Sequence, residues 1–377
     1  MAGALEKNVC ARTGVDKPIY PNLFATFVAN PGIGKSLIIS EVREMWDAAG
    51  LNVGPETVTK AAMIDYLAEA SSGVSMELVP RHTALFAASE LGMLIPENDT
   101  TWLNVLNHLY DCPPILEERT RGKGVIKIAN PFVTILGGTQ PKFLGALFPE
   151  DAYGMGFMSR LIMVYAGAAP VFGLFDARPK SDPFLRLNLE HDLKSIAKLS
   201  GEFTWHPTVV AEFGQWYSEG LPPEPTHSRM QGYNARRLLH LVKLMMCFSA
   251  SRGSDLMIDM EDYTEAKDLL LGTETLIPEI FKEMTAGAHG QIIQEAHTFL
   301  ILTYARTKAP IRESTLVAFF TNKVPVNLIA FNIDAMVRGG MIKETPLLSP
   351  TGAPIAGTTA YKPLTVMESP GGEPGLV

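Results

Sequence analysis

Apolar positions along the chain change period several times. Residues 19–29, IYPNLFATFVA, form an extended apolar run that ends at a Pro/Gly turn. In the following KSLIISEVREMWDAAG, Ile38, Val42, Met45, Trp46 and Ala49 recur at helical spacing and Gly50 supplies a stop. The pattern predicts strand, loop and helix. Further β-type runs, TALFAAS (83–89), PFVTILGG (131–138) and RLIMVYAG (160–167), are separated by helical segments such as TWLNVLNHLYD (101–111). Such alternation predicts an α/β core with a largely parallel sheet that ends near Gly167.

From about Ala168 strands become scarce. Proline-containing joints separate helical stretches in NLEHDLKSIAKLS, PTVVAEFGQWYSEG, NARRLLHLVKLMMCFSASRG and MEDYTEAKDLLLGTETLIPEIFKEM. AGAHG (286–290) reads as a break. Beyond it come helices in QIIQEAHTFLILTYART, RESTLVAFFT and PVNLIAFNIDAMVRGG, then MIKETPLLSPTGAPIAGTTAYKP, a two-stranded wing around a Pro/Gly turn. That is the order of a winged helix. The expected organisation is a core over 1–168, a helical domain over 169–286, a winged helix over 287–366 and a disordered tail over 367–377. No internal repeat is present.

Composition narrows the function classes. The 377 residues are 46% hydrophobic and 19% charged, the balance of a globular chain of two or three domains. A formal net charge of −8 provides no overall attraction to nucleic acid, so any DNA contact has to come from local basic patches. Cys10, Cys112 and Cys247 are scattered, which argues against a disulfide framework and a thiolate metal site and fits a reducing cytoplasm. The histidines are equally scattered, with no pair at zinc-ligand spacing. MAGALEKNVCARTG has no apolar signal core, and LIMVYAGAAPVFGLF (161–175) is short and contains Pro170, so neither a signal peptide nor a membrane span is expected.

The strongest chemical signal is NPGIGKS: Asn30, Pro31, Gly32, Ile33, Gly34, Lys35 and Ser36. In a phosphate-binding loop, backbone N–H groups of a tight Gly-rich turn point at phosphate oxygens, a lysine reaches the β- and γ-phosphates, and a Ser/Thr hydroxyl joins the Mg²⁺ shell. Gly32, Gly34, Lys35 and Ser36 meet those demands between a strand and a helix, which implies ATP and Mg²⁺ as cofactors, with Ser36 on the metal. Ala29 replaces the glycine that usually opens the motif, at a strand end where a small residue suffices. A hydrolase also needs an acidic group at the end of a neighbouring strand. Glu90 follows an apolar run and can act on the attacking water, but Ser89 stands where an aspartate usually precedes it. The Ser-Glu pair also fits a helix-start cap.

With these elements in order, the chain resembles AAA+ helicases of the minichromosome maintenance type. It is more similar still to the ATPase module of phage and prophage primase-helicase proteins, over roughly residues 18–285. The resemblance implies an α/β P-loop NTPase (AAA+-like) with a parallel-sheet ATPase core, a helical lid carrying sensor 2 and a C-terminal winged helix. It assigns Gln140 of LGGTQP to the polar sensor-1 position, and Arg160 of FMSRLIMVY to the arginine finger that reaches a neighbouring subunit's site. In NARRLLHLVKL it assigns Arg236 to sensor 2, with Arg237 as the alternative. It also implies a ring-shaped homo-oligomer, a hexamer. A salt-bridged Arg160 and a surface Arg236 are the plainer structural alternatives.

Between the Glu90 region and the sensor-1 strand, EERTRGKGVIKIANP (117–131) gathers Arg119, Arg121, Lys123 and Lys127 around two glycines, the composition of a basic β-hairpin. In the resembling helicases this position holds a hairpin in the central channel, which makes single-stranded DNA the expected partner. VNLIAFNIDAMVRGGM has one arginine and much apolar surface, poor equipment for reading a major groove, and its wing, with Lys343 and Lys362, is weakly basic. Phe319, Phe320 and Phe331 read as core rather than base-stacking platforms. The leading expectation is an ATP-dependent replicative DNA helicase of phage or prophage type in the host cytoplasm, with priming left to a separate primase because the P-loop lies so near the start. The alternative is a helicase loader or nucleotide-switched replication assembly factor with weak ATPase activity, favoured by Ser89 and the acidic net charge.

Overall fold

In a computed structural model, residues 1–14, 16–74, 80–97, 99–120, 124–148, 156–168, 184–321, 323–348 and 354–364 are described. The expected disordered tail and the hairpin tip with Arg121 and Lys123 lie outside the described residues. The chain divides into two compact units, Met1–Met284 and Thr285–Val377.

The first unit is mixed α/β around a parallel sheet. After a short strand β1 (Val9–Ala11) come β2 (Phe24–Ala29), β3 (Ser71–Val74) and β4 (Pro80–Ala88), a hairpin of β5 (Ile115–Thr120) and β6 (Gly124–Ala129), then β7 (Pro131–Thr139) and β8 (Leu161–Ala166). The main sheet has the order β3-β4-β7-β2-β8. β4, β7, β2 and β8 run parallel, and β3 is antiparallel to β4. Parallel strands covered on both faces read as nearly continuous apolar runs, as FATFVA and ALFAA do. On one face Leu85 and Ala87 pack against Ile39 and Trp46 of the Lys35–Ala48 helix. On the other, Phe24, Phe86 and Ala88 join the main core.

The apolar stripe of that helix differs from the expected one. Ile38 is exposed, and its neighbour Ile39 is the buried isoleucine. Both sit at helical spacing from Val42 and Trp46, so period alone does not choose between them. The sheet does, because Ile39 faces Leu85 and Ala87.

Beyond β8 the chain is mainly helical, with Leu185–Ile196, Pro207–Ser218, Arg237–Arg252 and a helix running Met260–Thr307. It is not without strands. β9 (Gly201–Trp205) pairs in parallel with β1 on one side and with β10 (Met257–Ile258) on the other. The helical part shares one hydrophobic cluster with the sheet, from Phe24 through Leu241 to Met284. AGAHG, expected as a break, lies within the Met260–Thr307 helix. Alanine favours helix, and an interior glycine costs only about 1 kcal/mol, so the segment lacks the force of a true breaker.

Three buried polar groups knit this unit together. Arg237 forms a two-pronged ion pair with Glu274, Nε to Oε1 at 2.9 Å and Nη2 to Oε2 at 2.8 Å, and Tyr233 O–H donates to the same carboxylate. Lys243 Nζ donates to the backbone oxygen of Asn22 at 2.8 Å, and burial pulls its pKa down to about 8. His240 is wholly buried, with Nε2 2.9 Å from Ser159 O and Nδ1 3.3 Å from Tyr110 Oη. Donation from Nε2 leaves Nδ1 as an acceptor for the tyrosine hydroxyl, so the ring is neutral. Burial pushes its pKa down to about 4.

In the second unit β11 (Ile311–Arg312) pairs with β13 (Pro354–Pro363), which pairs with β12 (Ile342–Leu348), all antiparallel. Helices Glu313–Thr321 and Val326–Arg338 pack on this sheet around Leu316, Phe320, Ile329, Ile333, Met336, Ile342 and Tyr361. Phe320 is core, and Phe319 stacks on Phe299 at 5.0 Å. Phe331, expected in the core, is 62% exposed. At about 100° per residue, two positions beyond Ile329 turn it to the opposite face of the helix. Lys343 and Lys362 face each other across β12 and β13. No helix among the described residues is long and apolar enough to cross a membrane.

Two predictions follow from the buried groups. Replacing Arg237 or Glu274 alone with alanine leaves an uncompensated buried charge and should cost about 3–5 kcal/mol in urea unfolding. The depressed pKa of His240 means the unfolded chain binds the extra proton. Its contribution is therefore complete above the unfolded pKa of 6.5 and is lost as pH falls towards 4, by about 3 kcal/mol in all. Unfolding free energies of wild type and His240→Gln should diverge in slope over that window.

Candidate phosphate site

Parallel register carries the chain ends of four strands to one edge. Val28 pairs with Thr139, Ala29 with Ala166, and Ala88 with Gly137, so the segments that follow β2, β4, β7 and β8 leave the sheet side by side. Ligands of open parallel sheets bind at such carboxyl edges, where connections depart in opposite directions. β2 lies between β7 and β8, and the Asn30–Ser36 segment leaves from its end.

The turn has the backbone a phosphate cradle needs. Gly32 and Gly34 have φ of +85° and +95°, a region L side chains rarely adopt, and a Cβ at either would meet nothing within 4 Å. Both backbones therefore face open space, where an anion can approach. Gly34 caps the Lys35–Ala48 helix without a side-chain hydrogen bond to its first turn. Such a helix start favours negative charge through its free N–H groups and dipole. Lys35 curls over the turn, its Nζ donating to Ala29 O at 2.6 Å and Asn30 O at 3.2 Å. The residues present fit the phosphates of a nucleotide, with the Ser36 hydroxyl exposed at the helix start for a cation. Asn30 Nδ2 donates to Glu283 Oε2 at 3.4 Å, and Tyr165, at the end of β8, donates to Glu283 Oε1. That bond is the main reason the Tyr165 phenol is pushed up to about 12.

The end of β4 lies close by. Ser89 O would be 2.4 Å from a Cβ on Gly138, and Ile39 Cδ1 would be 3.0 Å from it. Strands β4 and β7 and the first turns of the loop helix thus converge on one glycine. Ser89 N–H donates to Glu56 Oε1 at 2.8 Å. Hydrogen bonding from Ser89 holds the Glu56 carboxyl below the usual range, and the nearby Arg43 guanidinium adds to it. Arg43 Nη1 also lies 3.4 Å from Ala87 O, its hydrogen-bond acceptor. Glu90 is half-buried and extended, and its side chain does not cap the 3₁₀ turn Leu91–Met93. Gln140, half-buried at the end of β7, precedes the Pro141–Leu147 helix, likewise without a side-chain cap bond.

Arg160 and Arg236 belong to the opposite edge. Arg160 precedes Leu161, which pairs with Phe24 at the start of β2. The five steps from Phe24 to Ala29 span about 17 Å. Arg160 is buried: Nη1 donates to Gly156 O at 2.9 Å and Nη2 to Asp111 Oδ2 at 2.8 Å. Arg236 Nη1 donates to the other oxygen of the same carboxylate at 3.3 Å, and a quarter of its side chain is exposed. Arg236 lines a cavity of about 340 Å³ with Asp111, Tyr20, Asn22 and Lys243. Arg237, the alternative for sensor 2, is locked on Glu274.

The expected hairpin forms from β5 and β6 with Glu117 opposite Lys127 and Arg119 opposite Val125. Lys127 Nζ is 2.7 Å from Glu117, and the exposed Arg119 adjoins Glu118.

Compared with protein-family models and with curated proteins, the chain matches none. Among the described residues no cluster of His, Cys, Asp and Glu side chains is gathered to hold a metal. Mg²⁺ at nucleotide sites takes one or two protein oxygens besides water and phosphate, so it needs no such cage.

Sequence reading missed Glu56, which reaches the end of β4, and Glu283, which reaches Asn30 of the loop, both from distant segments. No motif marks either residue. Gly138→Ala should drive Ser89 away from β7 and cost about 1–3 kcal/mol in urea unfolding, as forced overpacking does.

Proposed function

We propose that the chain is an ATP-hydrolysing P-loop NTPase of the AAA+ kind that works as a ring on single-stranded DNA, a replicative helicase of phage or prophage type. The observation that carries the reading is the loop itself: two left-handed glycines, Lys35 and Ser36 at the head of a helix, on the carboxyl edge of a parallel sheet. Gly32 to Ser36 would hold the phosphates, Lys35 would neutralise them, and Ser36 would meet Mg²⁺. The bound cation would supply charge neutralisation between phosphate oxygens. Glu90 orients the attacking water, and Gln140 stands near the terminal phosphate. On this reading residues 184–284 serve as the lid and the second unit is a winged helix.

The two arginines give the ring its rationale. With Arg160 and Arg236 at the far end of β2 from their own loop, they would serve a neighbouring copy's nucleotide, the partly exposed Arg236 directly and the buried Arg160 only on leaving Asp111. A guanidinium on a transferring phosphoryl group contributes about 10³–10⁵ in rate, so an isolated copy would turn over slowly. A second reading, a helicase loader with weak ATPase activity, is favoured by one observation: Ser89 stands at the end of β4 where a hydrolase usually carries an aspartate.

Lys35→Ala should abolish nucleotide binding, whereas Arg236→Ala should keep binding and lower turnover at least tenfold, by about 1.4 kcal/mol. Mixing the two variants should restore part of the activity that each lacks, because one supplies arginines and the other an intact loop. Turnover of Arg236→Ala at the wild-type rate would remove the arginine from the mechanism. ATPase rates with and without single-stranded DNA, alongside solution mass, separate the two readings. A helicase is stimulated by DNA and assembles, whereas a loader needs its partner protein for either.

A further inference from the structure

A phosphate site of this kind calls for a carboxylate at the end of the strand beside the loop strand's neighbour, and position 89 offers a hydroxyl instead. The structure supplies a carboxylate there from another segment. Asn52 to Gly54 runs alongside β4: Leu85 N–H donates to Asn52 O, Gly54 N–H donates to Leu85 O, and Val53 bridges Leu85 in parallel. Two residues after that bridge ends, Glu56 reaches Ser89, with Oε1 2.8 Å from the Ser89 nitrogen. The backbone of Ser89 is packed on Gly138 together with Ile39, which lies one helical turn beyond Ser36. Glu56 therefore stands at the carboxyl end of β4, beside Ser89 and within the field of Arg43 of the loop helix.

Its charge state suits a cation. Hydrogen bonding from Ser89 and the field of Arg43 both favour the ionised form, so the carboxylate is charged at neutral pH. A carboxylate offers about four acceptor sites, and Ser89 occupies only part of them. A loop anchor would need the hydrogen bond alone; a cation site needs the negative charge as well.

We propose that Glu56 is the metal-positioning carboxylate of this nucleotide site, reaching across from the neighbouring segment to fill the place that Ser89 leaves without an acid. It orients the water shell of the divalent cation that the phosphates bring to Ser36. It acts through Ser89 and through metal-bound water, so it is a positioning residue rather than one that touches the reacting atoms. The assignment rests on the nucleotide reading above.

The test uses Mn²⁺ with ADP as probe and reads metal affinity by electron paramagnetic resonance, which requires no turnover. Glu56→Gln keeps an oxygen acceptor for the Ser89 N–H and removes only the charge. The expected result is at least a tenfold loss of Mn²⁺ affinity in the ADP complex, the scale of an outer-shell ligand. ADP affinity in EDTA and the thermal midpoint should stay unchanged. Adding Ser89→Asp to Glu56→Gln should recover most of the metal affinity. If Glu56→Gln binds Mn²⁺ as wild type does, or if its loss is not recovered by Ser89→Asp, the assignment is overturned while the nucleotide reading stands. If the wild-type chain binds neither ADP nor Mn²⁺–ADP, that reading fails and takes the assignment with it.

Discussion

Parallel register is the constraint on which the rest of the first unit depends. Because β2, β4, β7 and β8 all run the same way, their ends are sorted: every carboxyl end reaches one edge and every amino end the other. Sorting of this kind gathers residues that are far apart in sequence without any direct attraction between them. Asn30, Glu90 and Gln140 meet at one edge because each follows a strand; Arg160 is excluded from it because it precedes one. The register holds only if the segments approach closely, and at Gly138 the Ser89 carbonyl lies in the space a side chain would fill.

Much of this core was legible in the residues. The runs FATFVA, TALFAAS, PFVTILGG and RLIMVYAG form strands within a few residues of where their apolar patterns put them, because buried parallel strands have no polar face to blur the signal. The loop was legible for a different reason: glycine in the left-handed region leaves a local signature that needs no tertiary context. What was not legible came from packing between distant segments. Ile38 and Ile39 have equal claims by period, and only Leu85 and Ala87 decide between them. β9 is a five-residue strand whose partners, β1 and β10, lie about 190 and 50 residues away, so no local alternation announces the pairing. Phe331 was placed in the core on its apolarity alone, and helix geometry turned it outward.

The same division runs through the candidate site. Lys35 and Ser36 belong to a contiguous motif and can be found by reading along the chain. Glu56 precedes its contact by 33 residues, and Glu283 meets Asn30 across 253. Neither follows a run that would single it out. The arginines illustrate the complementary case: their types and order were readable, but the carboxylate they share was not, since nothing in the helical pattern TWLNVLNHLYD marks its last residue, Asp111, as their partner.

That shared carboxylate makes Arg160 and Arg236 a single electrostatic object. Each guanidinium occupies one oxygen of Asp111, so neither can leave without altering the charge the other feels. Substitutions at 160 and 236 are consequently non-additive, and a double-mutant cycle between them reports a coupling that passes through a third residue. Asp111 thereby sets the charge that both cations feel, and a change there redistributes both at once.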